Sequence, residues 1–236
     1  MAHANGLHGV DDPLKTTKII AGSLVLLLAA LSAHAQGDFQ NLNFEGANPV
    51  AAGSPYPSYD VTAASALPGW SVDYGISPTV VVGYNAESTG APTVSLISVA
   101  NVFPPIDGNY SVLLTATLLP VSISQTALIP SATQSLFFKA VGDAPALSFA
   151  LSIAGQNIPF SAVGAGLHYT LYGANISAWG NRTEQLTFSA AAVGTLNNWL
   201  IDDISFSTTT VPEPSVVALT TIGGLLFSAR KWFVRR

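Results

Sequence analysis

The sequence predicts an all-β protein, an antiparallel β-sandwich (jelly roll) of about ten short strands set between two hydrophobic ends. Three observations carry that prediction. Apolar residues alternate with small polar ones instead of recurring at helical spacing. Turn-forming residues return about every eight to twelve positions. Between residues 36 and 210 no helix-period segment of useful length is present, nor any internal repeat.

The clearest strand is 146–154, read as A-L-S-F-A-L-S-I-A, with Leu147, Phe149, Leu151 and Ile153 on one face and small residues on the other. Further runs lie at 39–44, 79–84, 94–99, 110–114, 135–140, 158–163, 169–172, 185–189 and 200–206. Between them sit Asp107-Gly108-Asn109, Gly142-Asp143, Gly155-Gln156-Asn157 and Gly164-Ala165-Gly166. Their side chains suit the tight and left-handed conformations of turns. Trp70 and Trp199 read as core residues at strand ends.

Both chain ends read as addresses. Residues 19–31 form an apolar and small-residue run preceded by Lys15 and Lys18, and Ala33-His34-Ala35 fits a small-x-small cleavage pattern. Residues 1–35 therefore read as a secretory signal peptide, a substrate of signal peptidase, with Gln36 opening the mature chain. Asp11 and Asp12 are unusual in such a leader, and the true translation start could lie further in. At the other end Pro212 and Pro214 hold Val211-Pro212-Glu213-Pro214 extended. No charge follows from Ser215 until Arg230, and Arg230, Lys231, Arg235 and Arg236 close the chain. That pattern predicts a transmembrane helix over 215–234, with cations that snorkel and favour a cytoplasmic C-terminus.

The triplet, the short helix with Gly223-Gly224 and the Arg-rich end together resemble the PEP-CTERM sorting tail of bacterial envelope proteins. The resemblance covers residues 211–236. It implies recognition by an exosortase-type enzyme and cleavage near Pro212-Glu213-Pro214, with Glu213 a substrate residue. It also implies an inner-membrane-anchored precursor and a product at the cell surface or outside the cell.

The 36–210 body carries Lys139 and Arg182 as its only cations against ten acids, a net charge of −8 over 175 residues. Nothing there can neutralise a phosphate backbone, which excludes nucleic-acid partners. Absence of cysteine rules out disulfides, thiolate metal sites and Cys/His nucleophilic chemistry. Stability must come from the core, and a domain of this size can bury enough surface for that.

Asn41-Leu42-Asn43-Phe44-Glu45, Leu67-Pro68-Gly69-Trp70-Ser71-Val72 and Trp199-Leu200-Ile201-Asp202-Asp203-Ile204-Ser205-Phe206 bracket the body. An N-x-x-F-E opening, a P-G-W strand and a closing I-D-D-I-S strand resemble galactose-binding-like jelly rolls, which include many carbohydrate-binding modules. The resemblance implies a structural calcium held by Glu45, Asp202 and Asp203, with hard oxygen ligands suited to that ion. Carboxylates satisfied by turn amides are the alternative. By alternation Asp202 shares a face with Leu200, Ile204 and Phe206, and an inward carboxylate needs partners.

Catalytic sets are scarce. His168 is the body's single histidine, in a Gly-rich turn, and no G-x-S-x-G elbow accompanies the many serines. A pair of acids for glycoside hydrolysis is allowed by count. Aromatic platforms for sugars are better represented: Tyr56 and Tyr59 lie in a Pro/Gly-rich loop and Trp179 beside Gly180-Asn181. The expected function is a non-enzymatic structural or adhesive component of the cell surface or exopolysaccharide matrix. The alternatives are a carbohydrate-binding module with a defined glycan and a glycan-active hydrolase.

Overall fold

Alternation of apolar and polar side chains produces fourteen strands among the described residues, which in this computed structural model are 39–57, 59–87, 91–142 and 148–211. In chain order they are β1 (Asp60–Thr62), β2 (Ser71–Tyr74), β3 (Ser77–Thr79), β4 (Val81–Tyr84), β5 (Thr93–Ser98), β6 (Tyr110–Ala116) and β7 (Val121–Leu128). They continue as β8 (Ser135–Gly142), β9 (Phe149–Ile153), β10 (Gln156–Ile158), β11 (Phe160–Ala165), β12 (Thr170–Asn175), β13 (Thr183–Ala190) and β14 (Asn197–Ser207). One short helix, α1 (Ala63–Ala66), follows β1. The leader with Ala33, Ala35 and Gln36, and the tail from Pro212 through Glu213, Pro214, Arg230, Lys231, Arg235 and Arg236, lie outside the described residues. Among the described residues no helix is long and apolar enough to cross a membrane.

Two sheets face each other as a sandwich. One has eight strands in the order β1-β4-β5-β6-β14-β8-β12-β11; the other has six, β10-β9-β13-β7-β2-β3. All pairings are antiparallel except β4 with β5. Inward side chains form one apolar core whose aromatic centre is Phe138, Phe149, Phe188 and Trp199. Phe149 stacks on Trp199 at 4.6 Å between centroids, and Phe138 meets Phe188 edge-on at 5.2 Å. These are the arrangements that aromatic quadrupoles favour. With no disulfide, such burial, at about 1.5–3 kcal/mol per large side chain, is the main source of stability.

The structure corrects the expectation for residues 39–44. They form turns, with Asn41 and Phe44 in the left-handed region (φ 51° and 58°). Phe39, Leu42 and Phe44 are nevertheless buried, so the segment plugs the sandwich without pairing as a strand. The Trp70 indole N–H donates to the Asn41 carbonyl at 3.1 Å and secures the plug. Trp70 and Trp199 are both core residues.

β7 was absent from the expected strands, and its sequence explains why. Val121, Ile123 and Ala127 face inward, but the intervening inward position is Gln125, which breaks the apolar alternation. Its amide is satisfied by the main chain of Gln40: Gln40 N–H donates to Gln125 Oε1 at 2.5 Å, and Gln125 Nε2 donates to the Gln40 carbonyl at 3.0 Å.

β14 departs from simple alternation as well. Its register against β8 shifts between Asp202 and Ser205, and Asp203 takes a left-handed φ of 52°. This bulge reverses the facing of the strand. Trp199 and Ile201 are core residues before it, Ile204 and Phe206 after it. Asp202 therefore does not share the inward face with Ile204 and Phe206. It lies on the outer face, where it is buried by the loop that precedes β6.

Candidate functional site

A cavity of about 620 Å³ opens where the β1-β4-β5 edge of one sheet meets the β2-β3 edge of the other. Its walls include Tyr56, Tyr59, Asp60, Tyr74, Asn85 and Glu87. The loop that carries two of the tyrosines is fixed through its backbone. Tyr56 N–H donates to the Gly53 carbonyl at 2.9 Å, Asp60 N–H to Pro57 at 3.0 Å, and Tyr84 N–H to the Tyr59 carbonyl at 2.8 Å. Gly53 takes φ +78°, a conformation that suits glycine. With the backbone held, Tyr56 and Tyr59 keep 46% and 55% of their surface in solvent. Ring faces presented this way suit stacking against a ligand.

Tyr74 is held from both sheets. Its hydroxyl donates to the Val81 carbonyl at 3.4 Å and accepts the Val94 N–H at 3.1 Å, so it bridges β2 to β4 and β5 across the cavity wall. Burial raises its pKa, the Val94 amide opposes that, and the charge of Asp60 adds to the rise. The Asn85 side chain is committed to structure: Nδ2 donates to Ser98 Oγ and Oδ1 accepts the Ser98 N–H, both at 2.8 Å. β4 also runs close to β5, since a Cβ on Gly83 would meet Ser95 Oγ at 2.4 Å.

Two carboxylates remain for a ligand. Among the described residues, none donates a hydrogen bond to Asp60 or Glu87, and burial raises the Asp60 carboxyl above its ordinary value. A second cavity, about 440 Å³, shares Tyr56, Thr79 and Val81 with the first, so Tyr56 stands between the two. Together they give room for more than one sugar-sized unit.

The expected glycan contacts divide. Tyr56 and Tyr59 share the cavity; Trp179 does not line it. Trp179 ends a 3-10 turn (Ser177–Trp179) beside the Leu128 end of β7, whereas Tyr74 pairs with Val121 at the opposite end. Its indole packs against the core with Arg182 5.7 Å above the ring. Asp60 and Glu87 carried no local signal, whereas Tyr74 was one aromatic among several and reaches β4 and β5 from the other sheet through its hydroxyl.

The acids expected to hold calcium are hydrogen-bonded within the protein. Glu45 accepts three N–H bonds, from Asn109 N at 2.7 Å, Asn109 Nδ2 at 2.8 Å and Tyr110 N at 2.9 Å. The loop fits Glu45 closely: Gly108 has φ +58°, and a Cβ there would meet Glu45 Oε1 at 2.4 Å. Asp202 Oδ2 accepts Ser111 Oγ–H at 2.6 Å and Asp107 N–H at 3.1 Å, while Oδ1 accepts Asp203 N–H at 2.7 Å. Burial pushes Asp202 up to about 7, against the pull of these donors. Lys139 Nζ lies 2.5 Å from Asp107 and 2.7 Å from Asp203, and 5.0 Å from the Tyr169 ring centroid. Burial opposes the Lys139 charge, but the two carboxylates outweigh it and raise its pKa. Among the described residues no group of three or more His, Cys, Asp or Glu side chains is placed to share a metal ion. As arranged, amides and a hydroxyl donate to Glu45 and Asp202, and the Lys139 ammonium pairs with Asp203.

Fold and site define a two-sheet β-sandwich with an acidic, tyrosine-lined cavity at one edge. No family model matches the chain, and no curated protein does. Among solved structures it is similar to the carbohydrate-binding module TmCBM61 in complex with β-1,4-galactotriose. That likeness has 15% identity and a TM-score of 0.39, over 72% of this chain and 97% of that one.

Proposed function

We propose that this chain is an exported, non-enzymatic envelope protein whose jelly-roll body adheres to polysaccharide through the tyrosine cavity. The observation that carries the reading is the pair of exposed rings, Tyr56 and Tyr59, on a cavity with two unpaired carboxylates. Sugars bind where an aromatic face meets a few directed polar groups, and this cavity supplies both. In the same reading residues 1–35 direct export. Residues 211–236 hold the precursor in the inner membrane until an exosortase-type enzyme cleaves near Pro212-Glu213-Pro214. The product then serves at the cell surface or in an extracellular matrix.

A glycan array probed with the full chain tests the binding claim. Saturable binding is expected, lost in Tyr56→Ala and Tyr59→Ala and kept in Trp179→Ala, since Trp179 lies away from the cavity. Binding unaffected by either tyrosine substitution contradicts it. Asp60 and Glu87 also share the cavity, and paired acids are the minimal equipment of a glycoside hydrolase. Prolonged incubation with each bound glycan separates the readings: unchanged glycan supports adhesion, and released shorter products support hydrolysis.

A further inference from the structure

Charge placement narrows the ligand of that cavity. The described residues contain two Lys or Arg side chains, Lys139 and Arg182. Neither is available to the site: Lys139 is held by Asp107 and Asp203, and Arg182 lies over Trp179. Among the described residues the cavity has no cation in its lining and two carboxylates, Asp60 and Glu87, that receive no hydrogen bond. Acids on a cavity wall repel uronate or sulfated sugars and attract a positive group. Tyrosine faces beside them add to that preference, because an ammonium is drawn to the negative face of an aromatic ring.

We propose that the cavity takes amine-bearing sugar units, with Asp60 and Glu87 as counter-charges and Tyr56 and Tyr59 as stacking faces. This rests on the carbohydrate-binding reading and names its substrate class. The second cavity across Tyr56 gives an oligomer room to continue. The protein then distinguishes polymers by the state of their nitrogen, because acetylation removes the charge and leaves the ring unchanged.

The test is calorimetric titration of the full chain, in mildly acidic buffer of low ionic strength, with three probes. These are a β-1,4-linked glucosamine tetramer, the same tetramer fully N-acetylated, and a tetragalacturonate. The amine tetramer is expected to bind about tenfold or more tightly than the acetylated one, with the uronate weakest. That advantage should shrink to near unity in the Asp60→Asn, Glu87→Gln double variant, whose shape is conserved, and in high salt. Equal binding of amine and acetylated tetramers, or preference for the uronate, overturns the amine assignment. If the tyrosine substitutions still abolish that binding, the carbohydrate-binding reading stands. No binding of any probe overturns the amine assignment, while the array decides the wider reading.

Discussion

Gln125 closes two hydrogen bonds on the main chain of Gln40 from an inward position of β7. A buried glutamine thereby does the work of a neighbouring strand and ties the plug at 39–44 to the six-stranded sheet. Its cross-strand neighbour is Leu186, which is buried. Gln125→Leu keeps the volume and strips Gln40 of both partners, leaving an amide and a carbonyl unmet. Orphaned groups of this kind cost about 1–3 kcal/mol. Chemical denaturation should show a loss in that range with an unchanged slope; a neutral result would mean that water replaces the glutamine at no cost.

Lys139 takes the place that an external cation would have between Asp107 and Asp203. The melting midpoint should therefore be the same in chelator as in calcium, while Lys139→Met should lower it by a few degrees by leaving two carboxylates facing each other. A fall in midpoint on chelation would instead support a structural calcium.

Asp202 sets a pH dependence whose sign is fixed. Its carboxyl titrates near 7 in the folded protein against an ordinary 3.8. Between about pH 4 and pH 7 the native state therefore holds a proton that the unfolded chain has released. Stability from this group declines as pH rises through that window and is flat above it, by at most about 4 kcal/mol. Asp107, lowered by its Lys139 bond, contributes in the opposite sense as pH falls through the acid range. Lys139, raised by its two acids, loses its contribution only in alkali. Midpoints measured across this window should slope downward in the wild type and flatten in Asp202→Asn; parallel curves would remove Asp202 as the source.

The loop before β6 is built around Glu45. Gly108→Ala places a methyl against Glu45 Oε1 in a left-handed conformation, and Glu45→Ala removes the acceptor of three N–H bonds. Each should cost about 1–3 kcal/mol. The double variant should cost less than the sum, because losing Glu45 relieves the clash. Strict additivity would show that the glycine is needed for its φ alone.

Replacing Pro212-Glu213-Pro214 with alanines should leave an uncleaved, membrane-held precursor, detected by fractionation of the producing cell. Normal release would remove the sorting proposal.

Much of the sandwich was legible because its strands alternate plainly: Phe149, Leu151 and Ile153 are buried and Ala150 and Ser152 less so, as their spacing requires. Legibility failed where one residue answered to a partner far along the chain. Gln125 obscured β7 because its polarity is resolved 85 positions away at Gln40. The bulge at Asp203 reversed the facing of β14, and no apolar period announces a left-handed aspartate. In the cavity, Tyr56 and Tyr59 were visible from loop composition. Asp60 and Glu87 were not, and nothing local set Tyr74 apart from the other tyrosines, because the cavity forms where the edges of two different sheets meet.

The measurement that bears most directly on the central claim is a titration of the wild-type and Tyr59→Ala full chains with the glycan that binds best. Loss of a stacking face should weaken affinity about tenfold or more, with the melting midpoint unchanged because Tyr59 is more than half exposed. Equal affinity of the two proteins would contradict a ligand site at the tyrosine cavity.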